Sequence, residues 1–180
     1  LDNYEHAFPV LREYGFSAIV FLVSDFSRRT NWWDRTQWLG NSQLLQPHQI
    51  QSMCDSGIEF GAHSFSHRSL PSLNDHELQE ELLKGRAALE GVVHHPLPVI
   101  AYPYGDVDER VKNAAKRAGY ACGFEAHTGP LEFYSDLYEI RRIIITNRSN
   151  WAYLTFKFSG TDRFIRWGVW FAKKLVGRKS

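Results

Sequence analysis

Apolar side chains at Ala7, Phe8, Val10, Leu11 and Tyr14 recur at helical spacing and stop at Gly15, so residues 2–14 read as an amphipathic helix ending at a glycine. A nearly continuous apolar run over 17–23 follows. Rich in β-branched and aromatic residues and bounded by Gly15 and Ser24-Asp25, it predicts a strand buried on both faces, as a parallel sheet requires. Residues 24–46 are polar and tryptophan-rich, and read as a long loop. Pro47 opens a helix through 56, Gly57 closes it, and 58–62 makes a short strand that delivers His63 at its C-terminal end. Asn74, with Glu77 three residues on, caps a helix over 74–90.

Residues 99–102 form the next strand, ending at Pro103-Tyr104-Gly105, and 106–118 the next helix, closed by Gly119. Residues 121–124 and 142–146 are further strand candidates. This alternation predicts an α/β architecture with a mostly parallel sheet, open or closed into a barrel. In such barrels active sites gather where strands end, and both His63 and Tyr104 fall there.

Composition narrows the classes of function. With 180 residues, 43% hydrophobic and 14% aromatic, the chain can bury a single sizeable core. One domain over 1–160 is expected, followed by a basic tail over 161–180. A net charge of +1 supplies no global field for nucleic acid, and no nucleic-acid partner is expected. Cys54 and Cys122 are too few for a disulfide framework and read as free thiols. No apolar run approaches the roughly 20 residues that span a bilayer, and the start lacks the basic-then-apolar pattern of a signal peptide. Because the chain opens on Leu1 and almost at once enters a helix, an upstream segment is expected to have been removed. The tail mixes Arg163, Arg166, Lys173 and Lys174 with Phe164, Trp167 and Trp170. That pattern fits a terminal helix packed on the domain first, and contact with a membrane surface second.

The candidate chemistry lies in Gly61-Ala62-His63-Ser64-Phe65-Ser66-His67, which places two imidazoles four residues apart after an apolar run. Imidazole nitrogen is a preferred ligand for zinc, and this spacing lets both rings converge if the backbone turns helically. Two ligands fall short of the three that a catalytic zinc site takes from the protein. The pair also admits a plainer reading, one histidine hydrogen-bonded within the fold and the other solvated. A second motif, Ala101-Tyr102-Pro103-Tyr104-Gly105-Asp106, stands about one strand-helix unit downstream.

Together the two motifs resemble the polysaccharide deacetylases, the NodB-like carbohydrate esterases. His63 to His67 is similar to their H-[ST]-x-x-H metal motif, and Tyr102-Pro103-Tyr104-Gly105 to their second sugar-groove motif, in the branch with a small residue before it. The stretch from Asn3 to Leu11 resembles the helix that follows the family's first motif. This resemblance implies a distorted (β/α) barrel whose first strand is missing here. It implies a hydrolase acting on carbon-nitrogen bonds other than peptides, removing N-acetyl groups from a sugar polymer with a divalent metal, most readily zinc. His63 and His67 become metal ligands. Tyr104 presents its backbone N–H to the developing oxyanion, and Arg142, rather than Arg141, supports the catalytic region. Tyr102, Pro103 and Gly105 line or shape the substrate groove, and Trp33, with Trp32 and Trp38, offers a stacking surface for sugar rings. The expected partner is a carbohydrate and the expected state a monomer.

Three departures accompany the resemblance. The family's two adjacent aspartates, base and third ligand, have no counterpart; Ala101 stands where many members carry an arginine; and no histidine follows His127 to act as general acid. Two other readings therefore stay open: an inactive carbohydrate-binding domain of the same fold, and a metal-free structural domain at a membrane surface.

Overall fold

The computed structural model describes residues 1–34, 42–126, 136–142, 144–146 and 149–159. A π-helical stretch, Asn3–Ala7, runs into α1 (Phe8–Glu13), and the chain then forms β1 (Ile19–Leu22), α2 (Pro47–Cys54) and β2 (Glu59–Ala62). After these come α3 (Asp75–Val93), β3 (Val99–Ala101), α4 (Glu109–Arg117), β4 (Cys122–Phe124) and α5 (Trp151–Phe158). The four strands pair in chain order, β1-β2-β3-β4, and every pairing is parallel. Parallel neighbours need a crossover between them, which α2, α3 and α4 supply in turn. The α/β class with a parallel sheet is therefore as the alternation predicts. Pairing of β4 with β1, which would close a barrel, is not present among the described residues.

The long crossover helix α3 organises the core. Asn74 accepts a hydrogen bond from the Glu77 amide while Glu77 accepts one from the Asn74 amide, the reciprocal cap that their spacing predicts. Leu78 and Leu82 pack with Leu70, Ile100 and Val111, whereas Leu89 and Val93, farther along, pack with Ile50, Met53 and Phe60. One helix thus spans two apolar clusters.

Several expectations are corrected. β1 is an edge strand among the described residues, and Ile19 is 42% exposed, so the run over 17–23 is not buried on both faces. The described residues of 142–146 form no strand: among the described residues the parallel pairing lies upstream, in a bridge between Ile140 and Phe124, and Ile144 and Ile145 stand exposed. Helix α5 is a further element that the apolar periodicity does not predict. It begins at Asn150, whose side chain accepts from the Tyr153 amide, and its Trp151 lies exposed rather than on a buried stripe. The basic tail lies outside the described residues. Among those described, no helix is long and apolar enough to cross a membrane.

Gly85, in the middle of α3, fixes how closely that helix approaches the histidine loop. A Cβ there would sit 2.8 Å from the Ser64 carbonyl carbon and 2.9 Å from the Phe65 amide nitrogen. Glycine-to-alanine within a helix ordinarily stabilises by about 0.5–1 kcal/mol. Here the contact is with backbone that cannot rotate away, and overpacking of this kind costs about 1–3 kcal/mol. Gly85→Ala is expected to lower the urea midpoint, and a rise would show that the helix and loop separate freely.

Candidate active site

The loop after β2 extends the β1–β2 ladder before it turns. The His63 amide donates to Leu22 (2.8 Å), and the amides of Ser24 and Asp25 donate to the carbonyls of Ser64 (3.3 Å) and Phe65 (3.0 Å). The loop is not helical. Ser64 (φ 61°) and His67 (φ 60°) both adopt left-handed backbone, which costs about 1–3 kcal/mol for residues bearing a Cβ. The spacing of four therefore brings the rings together through a turn. Its restraint is Glu81 of α3, which is buried. One carboxylate oxygen accepts from the amides of Phe65 (3.1 Å) and Ser66 (2.8 Å), and the other from the Ser66 hydroxyl. The Ser64 hydroxyl, also buried, accepts from the His67 amide (3.0 Å). No sequence motif pointed to Glu81; its helical position sixteen residues beyond Phe65 becomes meaningful only once α3 packs on the loop.

The imidazoles lie nearly perpendicular, centroids 4.8 Å apart. Nδ1 of His63 lies 2.6 Å from the Ala101 carbonyl oxygen. A carbonyl only accepts, so Nδ1 carries the hydrogen and Nε2 presents a lone pair, the arrangement typical of metal-ligating histidine. Burial pushes the His63 pKa down to about 4 against the opposing pull of the Ala101 hydrogen bond, helped by the nearby His67 and Arg142. The His67 pKa is also lowered, chiefly by burial, although its own backbone and the carboxylates of Asp34 and Glu81 draw it upward. Its Nδ1 is buried and meets no partner in hydrogen-bond geometry among the described residues.

The downstream motif forms a tight 3-10 turn, Pro103–Gly105, beside these rings. Tyr104 is left-handed (φ 61°), 56% exposed, and sets its ring perpendicular to His67 at 4.8 Å. Gly105 (φ +76°) is required, since a Cβ would meet the Ala126 amide nitrogen at 2.5 Å. Ser69 donates to Asp106 (3.0 Å) and ties the two loops together. Tyr102 is fully buried, its hydroxyl donates to the Tyr138 carbonyl (2.9 Å), and burial holds its pKa well above the usual phenol range. Pro103 and Gly105 are buried as well, within the turn. Trp33 stacks on His67 at 4.6 Å, while Trp38 and His127 lie outside the described residues.

Arg142 donates from Nε to the Glu125 carbonyl (3.0 Å) and lies over the Phe21 ring at 5.8 Å. Burial lowers its pKa, yet a guanidinium stays charged. It is thus the cation facing His63, whereas Arg141 is engaged with the Glu125 carboxylate at 2.8 Å. Lys112, buried in α4, grips Asp136 (2.9 Å) and Glu139 (2.8 Å) and so anchors the segment leading to Arg142.

The polysaccharide deacetylase family model matches residues 1–123, which include both motifs. The chain belongs to this family. YxkH of Bacillus subtilis, assigned by name to the polysaccharide deacetylases, is 26% identical over 145 residues, covering 81% of this chain and 48% of the relative. The poly-β-1,6-N-acetyl-D-glucosamine N-deacetylase of Staphylococcus epidermidis is 28% identical over 153 residues, covering 80% and 50%. The chain therefore spans about half the length of the curated relatives it matches. Among solved structures, the deacetylase PplD of Streptococcus pyogenes, in complex with acetate, superimposes with a TM-score of 0.72 at 22% identity, covering 85% of this chain and 63% of that one. IcaB of Ammonifex degensii gives 0.68 at 22% identity, covering 86% and 66%. These likenesses confirm the deacetylase fold.

Within that fold the two imidazoles fit a divalent cation as neutral donors: one has its tautomer set by Ala101, and the other carries a buried nitrogen without a partner. No cluster of three or more histidine, cysteine or acidic side chains suited to a metal occurs among the described residues. Two predictions follow from the loop and its rings. Glu81→Ala strips a carboxylate from two buried amides and is expected to destabilise by about 2–4 kcal/mol in urea unfolding, with Glu81→Gln losing less. For His63, the unfolded chain takes a proton near 6.5 and the folded one only near 4. In metal-free protein, stability should therefore be complete above the unfolded value and fall as pH drops through this window. Denaturant midpoints across that range should show the slope, and His63→Gln should flatten it; an unchanged slope would reject this account.

Proposed function

We propose that this chain forms the greater part of a domain that removes N-acetyl groups from a sugar polymer, with polymeric N-acetylglucosamine as the preferred substrate. One observation carries the reading: two neutral imidazoles, one with its tautomer fixed, sit beside an exposed left-handed tyrosine turn at the C-terminal ends of adjacent parallel strands. His63 and His67 are the residues that would hold a divalent cation, with zinc the best match to nitrogen donors of this kind. When bound, such an ion polarises an acetyl carbonyl and makes water a better nucleophile.

The chain's own groups prepare for that chemistry. Glu81 and Ser64 hold the histidine loop, and the Ala101 carbonyl keeps Nε2 of His63 unprotonated. Tyr104 forms an exposed wall, and its backbone N–H is assigned to the developing oxyanion. Arg142 is assigned to supporting the centre electrostatically beside His63. In the reaction water adds to the acetyl carbon, the carbon-nitrogen bond breaks, the amine gains a proton, and acetate leaves.

A second reading, a sugar-binding domain without turnover, is favoured by the lack of a three-donor cluster among the described residues. The two separate in one assay. Full-length protein supplied with Zn²⁺ should release acetate from N-acetylglucosamine oligomers, and His63→Ala or His67→Ala should reduce release at least about 100-fold. Oligomer binding without acetate release would establish the second reading instead.

A further inference from the structure

The two imidazoles are held by different means. His63 is fixed by a short hydrogen bond to a strand carbonyl, whereas Nδ1 of His67 is buried without a hydrogen-bond partner. A ring lacking that restraint would be free to rotate about its bond to Cβ unless packing stops it. Packing does so here: Trp33 lies parallel on one face of the His67 ring at 4.6 Å and 16°, and the His63 and Tyr104 rings meet it nearly at right angles.

Trp33 is itself braced. Its ring meets Trp32 edge-on at 4.8 Å, Arg28 lies over Trp32 at 4.5 Å, and Arg28 pairs with Asp25 at 3.3 Å. Asp25 donates its amide to Phe65, inside the histidine loop. At its base the turn bearing Trp33 is pinned by the Asn31 amide to Ser42 (3.0 Å) and the Leu44 amide to Arg29 (2.8 Å). The column thus begins and ends on the loop that carries His67, which is the geometry of a brace. A surface reserved for sugar would instead keep the stacked face open.

We propose that Trp33 is the positioning residue of His67, with the Trp32–Arg28 column behind it, so that ring stacking orients this imidazole where a hydrogen bond orients His63. The proposal rests on the metal-ligand reading of His67 in the preceding subsection. It assigns the conspicuous tryptophan to the centre's support, not to the sugar platform.

Trp33→Ala and Trp33→Phe are compared with the wild-type full-length protein by Zn²⁺ titration against a chromophoric chelator, by binding of N-acetylglucosamine oligomers to zinc-free protein, and by the His67 ring resonances of zinc-free protein. The alanine variant should bind Zn²⁺ about 10-fold or more weakly with oligomer affinity retained, and the phenylalanine variant should recover most of the loss. The His67 ring protons of the alanine variant should also lose the shift imposed by the stacked indole. Loss of oligomer affinity with unchanged Zn²⁺ affinity would overturn the proposal in favour of a sugar platform. Unchanged Zn²⁺ affinity and unchanged ring resonances would also overturn it. If the wild-type protein itself binds no Zn²⁺, the metal reading fails separately. The ring resonances then decide on Trp33 alone: a shift in Trp33→Ala that Trp33→Phe restores supports its hold on His67, and no shift overturns it. Should Trp33→Ala not fold, the same comparisons are made with Trp33→Leu, which fills the space without a ring face.

Discussion

Two amides and a hydroxyl of the histidine loop converge on one buried carboxylate, that of Glu81, and the arrangement of the site depends on that set of hydrogen bonds. A carboxylate removed from water is costly unless its oxygens find donors. Those donors lie in a loop whose Ser64 and His67 carry unfavourable left-handed backbone. Each partner makes good the other's deficit: charge-assisted bonds of about 1.5–3 kcal/mol apiece are of the size needed to hold a strained turn. The absence of a side chain at Gly85, one helical turn beyond Glu81, lets the helix come close enough for those bonds to form.

The sheet supplies the second constraint. Ala62 is in register with Ile100, so His63, just past β2, and Ala101, the last residue of β3, fall side by side as the strands end. The small Ala101 contributes its carbonyl rather than a side chain, and the imidazole turns toward it. His67 leaves the sheet and depends on aromatic neighbours drawn from two other loops. The centre is thus half polar and half aromatic in its support. The polar half is set by strand register, and the aromatic half by the docking of the loop after β1.

Much of this was legible from residue order. The alternation of apolar runs with capped helices specifies a parallel α/β sheet, and the Asn74–Glu77 cap is a local pattern that forms as written. His63 and Tyr104 fall at strand ends because apolar runs stop just before them. Side-chain direction and strand position are less legible, for a common reason. Tyr102 looks like a groove residue by its motif, yet its side chain alternates inward and finds the Tyr138 carbonyl, and Gly123 must lack a Cβ to admit it. The run over 17–23 is apolar enough for a central strand, but pairing order leaves it at an edge among the described residues, a property that no single strand encodes.

The sequence by itself therefore determined the family, the alternation of strands and helices through β4, and the two histidines with the tyrosine turn, because each is written in contiguous residues whose spacing survives any packing. Tertiary structure alone decided which groups govern those histidines. Glu81, Ala101, Trp33 and Arg142 lie between fourteen and seventy-nine residues from the imidazoles they address. They reach them through helix packing, strand register and loop docking, interactions that act between segments and leave no periodic trace within any one of them.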